Sequence, residues 1–101
     1  MSTDDSSTDL DHVDEAVRAL LPNYLKRRSV DVVTINELLQ TGDFLELGRL
    51  AHNMRGSGGA YGLPKITEIG GQMEAAAKQQ DGEKIAELVQ TLEHFLSGIR
   101  L

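Results

Sequence analysis

This sequence predicts an all-α fold, an antiparallel four-helix bundle with an additional short N-terminal helix. Three observations predict it. Apolar residues recur at spacings of three and four from Leu10 onward, the period of a helix with one buried face. No segment alternates apolar and polar residues in the manner of a half-buried strand. The periodic segments are about 15 to 19 residues long and are joined by short loops, which sets neighbouring helices antiparallel.

Taken in order, residues 1–9 (MSTDDSSTD) are polar, acidic and aperiodic. They are expected to be a disordered tail ahead of a single domain at 10–101. Val13, Val17, Leu20 and Leu21 mark a first, short helix ending near Pro22. The second runs from about Pro22 to Gln40 on the stripe Leu21, Leu25, Arg28, Val32, Ile35, Leu38 and Leu39. Pro22 suits its first turn, where a missing N–H costs little. These two are either separate or one helix kinked at Pro22. Gly42 can end the second helix in the left-handed conformation. Asp43 can cap the third, with Glu46 three residues on as a capping box requires. The third helix turns Phe44, Leu47, Leu50, Ala51, Met54 and Gly58 to one side and weakens at Gly58-Gly59. A turn at Tyr61-Gly62-Leu63-Pro64 leads to the fourth, Pro64 to about Gln79, with Ile66, Ile69, Met73, Ala76 and Ala77 inward. Asp81 is the N-cap of the fifth, whose stripe of Ile85, Leu88, Val89, Leu92, Phe95, Leu96 and Ile99 is the cleanest in the chain.

Composition excludes several functions. The 101 residues carry 10 Lys+Arg against 16 Asp+Glu, a net charge of −6, which argues against a nucleic-acid partner. Without cysteine there is no disulfide scaffold, thiolate zinc site or cysteine nucleophile. No apolar run approaches the roughly 18 residues of a membrane span. The first residues lack the charged and apolar regions of a signal peptide, so a cytoplasmic protein is expected. The length leaves no room for a large enzyme with a nucleotide fold.

The third helix has an unusual outer face. Its apolar residues fill an arc of roughly 120°, and His52 lies about 140° from the centre of that arc, toward water. Leu45, Gly48, Arg49, Arg55, Gly56 and Gly59 share that face. Glycine inside a helix costs about 1 kcal/mol relative to alanine. Outward-facing glycines beside a histidine give clearance for another molecule, while Leu45 offers an apolar contact and Arg49 and Arg55 offer positive charge. The pattern suits a docking surface centred on a histidine that handles an anion. Blander readings stand beside it. A solvent-facing histidine commonly has no role, Gly56-Ser57-Gly58-Gly59 could be a frayed helix end, and Gly48 could admit a neighbouring helix.

The remaining candidates read as structural. His12 and His94 are isolated, and the three histidines lack a zinc-ligand spacing. Arg28, within an apolar stripe, reads as a boundary residue whose head group reaches water. Tyr61 reads as packing over the turn, and Glu74 as a structural bond or cap contact. The acidic residues from Asp4 to Glu15 read as a solvated segment.

Ala51-His52-Asn53-Met54-Arg55-Gly56-Ser57-Gly58-Gly59-Ala60-Tyr61-Gly62 closely resembles the phosphorylation motif of histidine-containing phosphotransfer (HPt) domains, written H-x-[LM]-[KR]-G-[SA]. Gly62, Ile66, Ile69, Met73 and Glu74 continue the family's pattern downstream, and Gly42-Asp43-Phe44 opens the helix as it does there. The likeness covers about Leu20 to Leu96. Arg55 stands where the family usually has Lys, keeping the charge as a planar fork rather than a point. Gly70 stands where a small residue or cysteine is common.

The resemblance implies a phosphorelay carrier. His52 would be the phosphoacceptor, using the distal ring nitrogen, with Arg55 stabilising the phosphoryl oxygens. Gly56 would leave room for the phosphoryl group. Leu45, Gly48, Arg49, Ser57 and Gly59 would complete the docking face. The implied partners are receiver domains of response regulators or of a hybrid histidine kinase. Metal and carboxylates would belong to the receiver, so no cofactor of the chain's own is expected beyond Mg²⁺ on the partner, and no cluster of carboxylates around His52. The carrier would be a monomer without kinase activity of its own. The competing readings are a histidine-kinase dimerisation segment, disfavoured because Asn53 and Arg55-Gly56-Ser57 follow the histidine, and a scaffold that sequesters a receiver without transfer.

Overall fold

The computed structural model of the chain describes residue 10 and residues 12–100. The expected tail at 1–9 lies outside them. The described residues form helices α1 (Glu15–Arg18), α2 (Leu21–Thr41), α3 (Phe44–Gly58), α4 (Pro64–Lys78) and α5 (Gly82–Ser97). A single 3-10 turn, Gly59–Tyr61, follows α3. There is no strand among the described residues, and four long helices with a short N-terminal one make up the expected bundle.

The predicted punctuation is in place. Gly42 ends α2 at φ 69°, and the Asp43 carboxylate accepts from the Glu46 N–H. Asp81 does the same for Lys84 at the start of α5. Pro22 and Pro64 sit in the first turns of α2 and α4, where no intrahelical N–H bond is lost. The first helix is shorter than its periodicity suggests. Helix α1 is a single turn capped by Asp14, and Ala19-Leu20 separate it from α2. Leu10 and Val13 are buried without being helical, because this segment lies across the turn after α3. There Val13 packs on Gly62, and His12 Nε2 donates to the Gly62 carbonyl at 3.0 Å.

The core is drawn from the predicted stripes: Leu21, Val32 and Ile35 of α2, Leu47, Ala51 and Met54 of α3, Ile66, Ile69 and Met73 of α4, and Ile85, Leu88 and Leu92 of α5. Tyr24 was absent from the stripe yet is 1% exposed. Its ring stacks on Tyr61 at 4.0 Å between centroids, and its hydroxyl lies 2.8 Å from Ser57 Oγ. A phenol can be buried here because its polar tip is bonded. Arg28 does not simply reach for water. Its guanidinium lies over the Tyr24 ring, 4.7 Å from the centroid, and its Nε meets Asp31 Oδ2 at 2.7 Å. Burial pushes the Asp31 carboxyl above the ordinary carboxylate range, with Arg28 opposing the shift.

The seam between α3 and α4 positions the site. A Cβ at Gly70 would lie 2.6 Å from the Arg55 nitrogen and 2.9 Å from the Ala51 carbonyl oxygen. One at Gly58 would lie 2.5 Å from the Thr67 nitrogen. The two backbones therefore touch, as they can only where a side chain is missing. Thr67 bridges them as well, donating to the Arg55 carbonyl and accepting from the Gly59 N–H. The helices run antiparallel, so this contact brings the next turn of α4 beside the previous turn of α3.

Candidate functional site

That register decides what His52 meets. Glu74 is one turn beyond Gly70, and His52 is one turn before Arg55. The two side chains join at 3.0 Å between His52 Nδ1 and Glu74 Oε2. The Glu74 side chain is 15% exposed and the imidazole 59%. An ionised carboxylate only accepts, so Nδ1 is the protonated nitrogen. In the neutral ring Nε2 then carries the lone pair, and no described residue bonds to it.

Arg55 completes a triad. Its Nη1 lies 3.1 Å from Glu74 Oε1. The contact is ionic and off the axis of a directed hydrogen bond, so this buried oxygen has charge nearby but no aligned donor. Nη2 stands 3.5 Å from His52 Nδ1. With its proton engaged by Glu74, Nδ1 has no lone pair for the guanidinium, so Arg55 belongs to the carboxylate. The Arg55 stem lies over Gly71, its Cδ 3.5 Å from where a Cβ would be, which lays the head group along the seam.

Beside the ring is an open trough of about 580 Å³ between α3 and the end of α4. Phe44, Leu45, Gly48 and Ala77 supply apolar and small surface, and Arg49 and Lys78 supply positive charge. Leu45 is 78% exposed, an unusual position for a large aliphatic side chain. Arg49 is exposed and loosely paired with Glu46 at 3.9 Å.

The residues singled out from the sequence separate into two groups. Leu45, Gly48, Arg49 and His52 line the trough together. Gly48 also faces α4, since a Cβ there would sit 3.6 Å from that of Ala77, an ordinary contact. Gly56 has nothing within 4 Å of a built Cβ, so its outer side is open. Ser57 and Gly59 are elsewhere. The Ser57 hydroxyl donates to the Met54 carbonyl and meets Tyr24 on the α2 side, and the Gly59 N–H is held by Thr67. Glu74 makes the structural bond expected of it, and its partner is His52 itself. Ala77 and Lys78 were missed as lining of the trough. Both come from α4, as Glu74 does.

Among the described residues no three or more His, Cys, Asp or Glu side chains gather as a metal site requires. No described helix is long and apolar enough to cross a membrane.

The fold and site define a class: a helical bundle presenting one histidine on the outside of a central helix, backed by a carboxylate and a cation. A family model for the Hpt domain matches residues 3–100, and the chain belongs to that family. Membership makes it a phosphocarrier of phosphorelay signalling. Comparison with curated proteins and with solved structures gives no match.

Proposed function

We propose that His52 accepts a phosphoryl group at Nε2 from an aspartyl phosphate on a receiver domain and returns it to another receiver. The observation that carries this reading is the Nδ1–Glu74 bond, which leaves the lone pair on the exposed side of the ring. A neutral imidazole so oriented is ready to attack without first losing a proton. Arg55, at the edge of the same site, lies within reach to neutralise phosphoryl oxygens, and phosphoryl transfer depends mainly on such positioning and charge neutralisation. The receiver supplies the Mg²⁺ and the acidic residues that hold it.

Docking uses the trough. Its apolar floor accepts the apolar ridge of a receiver helix, and Arg49 and Lys78 favour acidic residues beside that ridge. Gly56 leaves the space next to the histidine empty for the receiver's loops. The carrier acts in the cytoplasm, where receivers are charged.

The test is direct transfer. Receiver domains charged with a small phosphodonor and Mg²⁺ are mixed with the chain, wild type and His52→Gln, and read by intact mass. Acid-labile, base-stable label on the wild type alone is the expected result. Binding of a receiver without label, from a panel shown to be active, overturns it in favour of the sequestering scaffold.

A further inference from the structure

The state after transfer has a proton to account for. As Nε2 forms its bond to phosphorus, the P–O bond to the receiver's carboxylate breaks and its electron pair stays on that oxygen. The ring, which entered neutral with hydrogen on Nδ1, becomes cationic. To donate again, the N–P bond breaks and its pair returns to Nε2. If Nδ1 still holds its proton, the leaving group is neutral imidazole. If that proton has been lost to water, the leaving group is imidazolate, a far stronger base and a far poorer leaving group.

We infer that Glu74 holds the Nδ1 proton on the phosphorylated ring, keeping the phosphohistidine in its cationic, readily donating form as the pH rises. The inference rests on the reading of His52 as the phosphoacceptor. Glu74 Oε2 is the bonded partner of that proton at 3.0 Å, and the carboxylate is 15% exposed, so its charge is only partly screened. Its other oxygen is paired with Arg55 Nη1 at 3.1 Å, which fixes the carboxylate in place so that Oε2 stays directed at Nδ1. The charged groups around the ring are Arg49 and Arg55 on α3 and Glu74 and Lys78 on α4. Of the cations, Arg55 is nearest and works against a positive ring, but the phosphoryl group arrives with negative charge that offsets it. Glu74 is thus a positioning residue whose effect outlasts the transfer: it favours a short-lived, quickly relayed phosphoryl group over a stored one.

The experiment charges the 101-residue chain with phosphoramidate, which phosphorylates imidazoles without a receiver and leaves as ammonia, and maps the label by peptide mass. Its loss from His52 is followed against pH in the wild type and Glu74→Gln. An opposite charge at this range displaces such a profile by about one unit or more. Lability in the wild type is therefore expected to persist about one pH unit higher than in the variant. On the alkaline side label should leave the wild type about tenfold faster. Label on the exposed His94 of the same wild-type chain gives a comparison that does not depend on the variant folding. It should lose lability at lower pH than His52. Coincident profiles for wild type and Glu74→Gln, or for His52 and His94, overturn the inference. A displaced profile with no receiver able to charge His52 would instead sink the relay reading alone. Receiver-dependent charging with coincident profiles would sink only this one.

Discussion

Helix α3 has two sides, and its glycines mean opposite things on them. On the inner side, Gly58 meets backbone of the α4 region, and Gly70 of α4 meets α3 backbone in turn, each so closely that a methyl group would overlap it. On the outer side, Gly56 has nothing near it. The inner contact is explained by packing. Gly56 is not, and a helical glycine that packing does not require lowers stability by about 1 kcal/mol without return inside the fold. The difference teaches where to look for function. A residue the fold tolerates at a cost, beside an exposed histidine, marks the surface that another molecule uses.

Breaking the inner side is expected to have the largest effect. Gly70→Ala forces α3 and α4 apart and should destabilise the chain by about 1–3 kcal/mol in denaturant unfolding. It should also slow transfer, because Glu74 is carried away from His52. If Gly70→Ala melts like the wild type, the seam is looser than its distances say. On the outer side, Leu45→Ser should leave stability within about 0.5 kcal/mol, as expected for a surface change. It should weaken receiver binding about tenfold, the loss of roughly half a buried leucine's contribution. Calorimetric titration reads this, and an unchanged Kd would remove Leu45 from the docking surface.

Tyr24→Phe sharpens the inner side. It deletes the phenol that meets Ser57 and should cost about 1 kcal/mol. Transfer from a charged receiver should stay near the wild-type rate, since this contact faces away from His52. Gly56→Ala has a smaller effect on stability and the opposite sign, raising it by up to about 1 kcal/mol. Transfer should nonetheless fall, and a stabilised protein that transfers normally would show that the clearance is unused. The smallest effect concerns Asp31. Its carboxyl is raised from 3.8, so the folded chain holds that proton more tightly than the unfolded chain. Stability from this group is fully present below pH 3.8 and is lost as pH rises through the raised value. Urea midpoints across that range should therefore fall for the wild type relative to Asp31→Asn.

Much of the fold was legible along the chain because its signals are local. The stripes of α3, α4 and α5, the caps Asp43 and Asp81, and the left-handed Gly42 depend on residues a few positions apart. The two errors in the helices have physical causes. Leu10 and Val13 are buried by a loop contact rather than by helix, and periodicity cannot tell those apart. Tyr24 was passed over because its burial requires a bond to Ser57, 33 residues away. In the site, His52, Leu45, Arg49 and the open space at Gly56 were readable from one helical wheel. The bond of the Ser57 hydroxyl to Tyr24 on α2 was not.

By itself, then, the sequence determined the helices, their order and the face on which His52 stands, because each follows from spacings within one segment. Only the tertiary structure decided which nitrogen of His52 is free. That depends on Glu74, 22 residues further along the chain. The two meet because the side chain missing at Gly70 lets α4 settle against the backbone of Ala51 and Arg55. Such a register is set by contact between helices, and no periodicity within either one records it.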